Sequence, residues 1–531
     1  MVDHHDVLVI GAGFAGLYQL HRLRALGFDT CVVEAGADVG GTWYWNRYPG
    51  ARCDIESVEY SYSFDADLEQ EWDWSERYAA QPEILAYVRH VADRFDLRRD
   101  IVFNTRVEAL RWCEGERRWH VTSSDGLPRT ARYVVAATGC LSVPSRPDFE
   151  GLDDFAGEIL WTSSWPHEGA DLTGKRVAVI GTGSSGLQTI TAIAPRVASL
   201  TVFQRTPSYA VPAHNGPIAD RLAEARAHYP ERREVSRASS KGFDCDEEQQ
   251  VLLVETAQAD VVRELDRRWD VGGLCFGSGF SDLLKDADAN AAVAEYVRAR
   301  IREKVKDPEV AERLTPRTYP IASKRMCVDT GYFEVFNQDN VTLVDLGEHP
   351  VERMTEHGIR TRDGVTYDVD VIVMATGFDA MTGALNAIDI RGVDGLALRD
   401  KWAHGPRTYL GLMSAGFPNL FTVTGPQSPS VLSNMMTSIE HHVDWITRAL
   451  AHLRERDLHR MEADPDAEDN WVNTTNDLAD LTLMPQAASW YMGANIPGKQ
   501  RVFMPFIGGV GLYRDLTNGI AVSHYHGFEL S

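Results

Sequence analysis

The chain has 531 residues, enough for three or four domains. Its composition, 44% hydrophobic and 24% charged, excludes a disordered or fibrous protein. Asp and Glu number 77 against 53 Lys and Arg, giving a net charge of −24 that repels phosphate backbones and offers no basic face to anionic lipid. Nucleic-acid and membrane partners are therefore not expected. The seven cysteines are scattered, never spaced as CxxC, and read as a reduced intracellular set without a zinc cluster. No window approaches the roughly 18 apolar residues of a membrane span, and the N-terminus carries acids rather than a basic leader. The expectation is a cytoplasmic protein built from several α/β units.

The first unit occupies residues 6–34. DVLVI predicts a buried strand and GAGFAG a turn. A helix follows with Leu17, Leu20, Leu23 and Leu26 on one face; Gly27 ends it, and TCVVE returns as a second strand. In this context Gly11 makes the turn, Gly13 lets backbone approach a pyrophosphate, and Gly16 permits close helix–strand packing. Glu34 closes the second strand, where a carboxylate accepts from a ribose 2′-hydroxyl and repels a 2′-phosphate. The unit therefore suits FAD or NAD.

The pattern returns 170 residues on, with RVAVI, GTGSSG, a helix ending near Pro195, and SLTVFQR. Gly181, Gly183 and Gly186 repeat the turn, but the second strand ends in Gln204, Arg205 and Thr206. A guanidinium and a hydroxyl in place of the acid predict NADP rather than NAD. Residues 216–324 are densely charged with helical spacing and read as a helical insertion. Strand texture resumes at NVTLVDL, GIRTRDGVTY and VDVIVMATG. Two apolar strands run into Ala-Thr-Gly, at 134–141 and 371–379. Gly139 and Gly377 are expected to bring bare backbone against the nucleotide turns. A long amphipathic helix is predicted from about Leu432 to Leu453, and the tail from Trp490 is rich in glycine and aromatics. His441, His442, His524 and His526 lack carboxylates at ligand spacing and no HExxH occurs, so no metal site is expected. GxSxG and Walker A motifs are absent, which removes hydrolase and kinase readings.

Several stretches resemble the class B flavin monooxygenases, specifically the Baeyer–Villiger monooxygenases. They are GGTWYWNRYPGARCD (40–54), KRMCVDTGYFEVFNQDNV (324–341), ATGFD (375–379), TGPQSPSVLSNM (424–435) and WYMGANIPGK (490–499). The resemblance covers nearly the whole chain and is weakest across 216–320. It implies an α/β fold with two Rossmann-like dinucleotide-binding domains. The expected boundaries are 1–145 with 385–531 for FAD and 146–215 with 325–384 for NADP, the helical insertion being 216–324.

The activity implied is insertion of one oxygen atom from O2 beside a ketone carbonyl, through a C4a-peroxyflavin, to give an ester or lactone. NADPH is the reductant and the ketone a small molecule. Arg325 is the expected catalytic cation, with Asp54 orienting it. Thr42, Trp43, Asp54, Tyr60, Val107 and Met435 are expected to line FAD. Gly183, Ser184, Ser185, Gly186, Gln188, Arg205, Thr206, Lys324, Arg325 and Trp490 are expected to contact NADP. Tyr44, Trp45, Arg52, Cys53 and Thr182 complete the cofactor-binding set. One departure stands in FAGEILWTSSWP (155–166), where Trp161 replaces the histidine of the family's linker fingerprint, which puts domain movement and cofactor coupling in question. The rival readings are an N- or S-oxygenating flavin monooxygenase, a disulfide reductase, for which no cysteine pair is spaced, and a non-catalytic flavin sensor, which has no need of Arg325 and Asp54.

Overall fold

The computed structural model describes residues 2–245 and 250–531. Asp246 to Gln249, inside the expected insertion, lie outside the described residues. The first unit forms as its pattern requires: β1 (Asp3–Ile10), α1 (Phe14–Ala25) and β2 (Thr30–Val33), with Val9 level with Val32 in a parallel pair. Leu17, Leu20 and Leu23 are fully buried. Leu26, expected on the same face, is 40% exposed, because α1 ends at Ala25 and Gly27 turns the chain through a positive φ. β3 (Ile101–Val102), β4 (Val107–Cys113), β5 (Arg118–Ser123) and β6 (Arg129–Ala136) follow in the same sheet.

The second unit begins with β7 (Glu158–Trp161), β8 (Arg176–Ile180) and β9 (Ser199–Gln204), with the Ser184–Ile193 helix between β8 and β9. The FAGEILW segment, expected as linker, is thus the edge strand of this sheet. Its apolar residues pair in register with a later strand, Trp161 opposite Met374. β10 (Ala210–Pro212) then pairs in parallel with β11 (Cys327–Asp329) and closes the neck of the insertion. Between them run helices at Ala219–Ala227, Tyr229–Ala238, Gln258–Val271, Ala287–Lys304 and Pro308–Leu314.

β12 (Val341–Asp345) returns to the second sheet. β13 (Val351–Thr355), β14 (Gly358–Thr361) and β15 (Thr366–Asp368) make a small antiparallel sheet, and β16 (Val371–Met374) completes the all-parallel order β12-β9-β8-β16-β7. β17 (Asp389–Arg391) and β18 (Leu420–Thr422) go back to the first sheet. Its order is β17-β4-β5-β6-β1-β2-β3, with β18 on β6. Parallel strands buried on both faces account for the continuous apolar runs that the sequence shows. The long helix runs Met435–Glu455 and packs on α1. The tail carries a helix, Val510–Val522, and a short strand pairing with Met461–Ala463.

Candidate active site

Both glycine turns are places where a side chain has no room. A Cβ on Gly11 would stand 2.7 Å from the Ala137 carbonyl oxygen, and one on Gly16 would stand 1.8 Å from the Gly11 oxygen. Gly181 and Gly186 repeat this against Ala375 and Gly181 at 2.4 and 2.0 Å. The Ala-Thr-Gly strand ends do run onto the turns, but the close approach comes from Ala137 and Ala375. Gly139 and Gly377 serve a different need, a positive φ (71° and 79°), and the sequence expectation about them is corrected accordingly.

α1 starts at Gly13 and the Ser184–Ile193 helix at Gly183. Neither start has a side-chain cap or an acid in its first turn, so their leading N–H groups suit an anion. Glu34 is buried and accepts from the Ala12 and Gly36 amides, each at 2.6 Å, tying the end of β2 to the turn. Burial raises its carboxyl pKa although both amides pull the other way.

Below this turn the 40–54 stretch is tightly packed. Thr42 opens a short helical turn; Trp43 Nε1 donates to the Tyr60 hydroxyl at 3.2 Å. The Tyr44 hydroxyl accepts from the Ala37 amide, and Trp45 lies edge-on against the Tyr44 ring. Val107, the first residue of β4, is buried. Arg52 is engaged by Glu76 at 2.8 Å and the Tyr78 carbonyl at 2.9 Å, while Cys53 is buried with its thiol pKa pushed up by that burial. These two side chains support the stretch rather than project from it.

In the second turn, Thr182 donates to the Thr206 carbonyl at 3.2 Å, Ser184 lies 3.6 Å from the Cys327 sulfur, and Ser185 offers its carbonyl to Thr189. Gln188 reaches across to the first unit. Its oxygen accepts from the Tyr48 hydroxyl at 2.8 Å and its nitrogen donates to the Arg52 carbonyl at 3.1 Å.

Two groups of charged side chains stand out in the geometry. Arg325 lies two residues before β11 and forks onto Asp54, with Nε and Nη2 each 2.8 Å from a carboxylate oxygen; Nη1 donates to the Val431 carbonyl at 3.0 Å. The two side chains are only 19% and 25% exposed. Burial alone lowers a guanidinium pKa, and the Asp54 carboxylate more than offsets it, so Arg325 is firmly cationic. Beside it, burial pushes the Tyr491 phenol up to about 12. Val431 and Tyr491 belong to an apolar cluster with Cys140, Met381, Met492 and Phe503, edged by Met435 and Trp490.

The second pair is Lys324 with Arg205. No carboxylate bridges either side chain among the described residues. Burial, then the neighbouring Arg205 charge, bring the Lys324 ammonium down to about 8. Two adjacent cations without a counter-charge fit a dianion.

The sequence points to these residues but not to three of their supports: Tyr48, the Val431 carbonyl and Tyr491. Thr424, Gln427 and Ser430 hold left-handed φ values (53°, 69° and 42°) without being glycine, so no residue type signals the turn. It is fixed instead by Thr408 and Trp471 on Gln427 and by the Thr424 amide donating to buried, neutral His442 at 2.9 Å. His441 and His442 are core residues. A Cys113, Glu116 and His120 group meets on the exposed β4–β5 hairpin through strand pairing, which spacing in sequence does not reveal.

A family model described as pyridine nucleotide-disulphide oxidoreductase matches residues 8–264. A Baeyer-Villiger monooxygenase from Pseudooceanicola batsensis is 42% identical over 98% of this chain and 95% of its own length. The chain belongs to the Baeyer–Villiger monooxygenases. An oxidized steroid monooxygenase bound to NADP matches at a TM-score of 0.95 and 50% identity, covering 99% of each chain. OTEMO in complex with FAD and NADP matches at 0.96 and 40% identity over the full length of both. None of the seven cysteines is in a disulfide.

Against this Baeyer–Villiger background Trp161 stands out. It ends β7 with the Arg146 guanidinium over its ring at 5.2 Å. The Trp161→His variant loses that cation–π contact at the sheet edge, worth about 0.5–2 kcal/mol. It is expected to keep FAD and the ester product while changing the hydrogen peroxide released per NADPH consumed. Unchanged uncoupling and turnover would make the position inert.

Proposed function

We propose that this chain converts a small ketone to an ester or lactone in the cytoplasm, with FAD, NADPH and O2. No helix among the described residues is long and apolar enough to cross a membrane. The observation that carries the reading is the Asp54–Arg325 fork at the wall of an apolar cluster. When bound, FAD would supply the redox chemistry, in which two electrons from NADPH and one O2 give one oxygen atom to the ketone and one to water.

The chain's own residues supply the rest. The uncapped start of α1, with Gly11, Gly13, Gly16 and Glu34, receives the FAD pyrophosphate and ribose, and the 40–60 stretch with Val107 and Met435 lines its remainder. The turn from Thr182 to Gly186, Gln188, Arg205, Thr206, Lys324 and Trp490 holds NADP. We assign the two sheets to the two domains with the boundaries expected above, 216–324 being the insertion; β17 and β18 returning to the first sheet support the split FAD domain. Asp54 fixes the Arg325 fork in one orientation. The guanidinium then faces the negative charge that develops on the substrate oxygens, in surroundings where apolar side chains exclude water. Unlike a lysine, it cannot lose its charge at working pH.

The test is stoichiometric. One NADPH and one O2 are expected per ester formed when linear, aryl, cyclic and steroidal ketones are offered. NADPH oxidation with no oxygenated product from any ketone overturns the reading; N-oxide from a heteroaromatic amine without ester places the chain on the N-oxygenating branch.

The Lys324–Arg205 pair adds a pH dependence. A bound 2′-phosphate raises the Lys324 pKa from about 8, so NADPH binding takes up a proton above that pH. The NADPH dissociation constant is therefore expected to climb above pH 8, by up to about tenfold per unit. NADH should show no such slope, and Lys324→Arg should remove it. Fluorescence titration from pH 7 to 9 reads this directly.

A further inference from the structure

A polar cavity lies apart from the residues of both glycine turns. It opens to solvent and is bordered by the middle and last turns of α1, the Met435–Glu455 helix, the Val510–Val522 helix and the Tyr229–Ala238 helix of the insertion. Its volume is about 330 Å³, near the lower end of small-molecule sites. Four arginines line it, Arg22, Arg237, Arg448 and Arg514, against two carboxylates, Glu440 and Asp444.

Both carboxylates are already in use. Glu440 accepts from the Ser63 amide at 2.6 Å and from the Ser63 hydroxyl; Asp444 accepts from Tyr18 at 2.9 Å and pairs with Arg22 at 3.0 Å. Arg237 pairs with Glu234 outside the cavity lining and donates to the Ser63 hydroxyl at 2.9 Å. Exposed Arg448 holds only the neutral Asn518 amide oxygen, at 2.8 Å, and the half-buried Arg514 side chain makes no ion pair or hydrogen bond among the described residues. Burial, then the Arg237 charge, lower the Arg514 pKa, outweighing the opposing Glu234 and Asp515 carboxylates. His441 adds no charge, since burial holds it neutral and its ring hydrogen-bonds Thr517.

The lining thus carries four guanidinium groups against two carboxylates, with Glu234 and Asp515 outside it, in a chain of net −24. We propose that this cavity is a binding site for a small organic or inorganic dianion, a phosphate ester or dicarboxylate, held by Arg514 and Arg448. Two guanidinium forks on one dianion supply charge-assisted, directional contacts, and the Tyr18 and Phe64 rings offer an apolar wall for a carbon skeleton. Nothing in the ketone chemistry uses these residues.

The test is calorimetric titration of the holoenzyme with inorganic phosphate and with succinate. NADP+ is kept saturating, so that Arg205 and Lys324 are occupied, and ionic strength is held constant. One site is expected, with Arg514→Gln and Arg448→Gln each weakening binding about 10- to 100-fold. Arg514→Lys should restore part of the loss, and turnover on a ketone without added dianion should not change. Retained FAD and turnover in each variant confirm that it is folded. Binding of equal strength in the parent and both Gln variants overturns the proposal, as does absence of binding to the parent by either probe at tens of millimolar.

Discussion

Arg325→Ala is expected to retain FAD, accept electrons from NADPH, and form almost no ester. Removing a donor aimed at charge that develops in the transition state costs about 2.7–4 kcal/mol, or roughly 10²–10³ in rate. The side chain is ion-paired with Asp54 and anchored on the Val431 carbonyl, so its loss also releases the carboxylate from its fixed orientation. Arg325→Lys keeps a charge but not the planar fork and should recover only a small part of the activity. Stopped-flow absorbance separates flavin reduction from the later reaction with O2. A variant forming ester near the parent rate would remove Arg325 from the mechanism.

Arg205→Ala should raise KM for NADPH by roughly 10- to 150-fold and leave that for NADH nearly unchanged. The loss is one charge-assisted phosphate contact, about 1.5–3 kcal/mol. Lys324 complicates the outcome in an informative way. With Arg205 gone, a like charge beside it disappears and its own pKa rises, so the alkaline slope in NADPH binding should move to higher pH. Steady-state kinetics with both cofactors at pH 7 and pH 9 resolve the two effects. An equal loss with NADPH and NADH would sink the assignment.

Where function depends on local periodicity and glycine spacing, the sequence is a faithful guide. Both strand–turn–helix units are legible because a buried parallel strand must be apolar throughout and because Gly16 and Gly186 admit no Cβ. The candidate cation is legible only through the resemblance of residues 324–341 to the family's segment, since a Lys–Arg pair by itself reads equally well as a solvated pair. What sequence conceals is anything made by distant backbone. The Val431 carbonyl has no side-chain signature, and Trp161 looks like linker until β16 pairs with β7. The left-handed turns at Thr424, Gln427 and Ser430 are imposed by partners such as His442, so residue type gives no warning of them. Leu26 shows the reverse error, since periodicity extends one residue beyond where the helix stops.

The grip on Arg325 spans 271 residues to Asp54 and 106 residues to Val431. Each of those closures costs chain entropy that only a nearly complete tertiary structure offsets. The glycine turns combine a local contact, Gly16 on Gly11 and Gly186 on Gly181, with a wall from far along the chain, Ala137 and Ala375. Both the guanidinium and the nucleotide turns therefore depend on closures between distant parts of the chain. Handling electrons and handling oxygen thus rest on the same long-range closures, and a chain that lacks them is expected to lack both competences together.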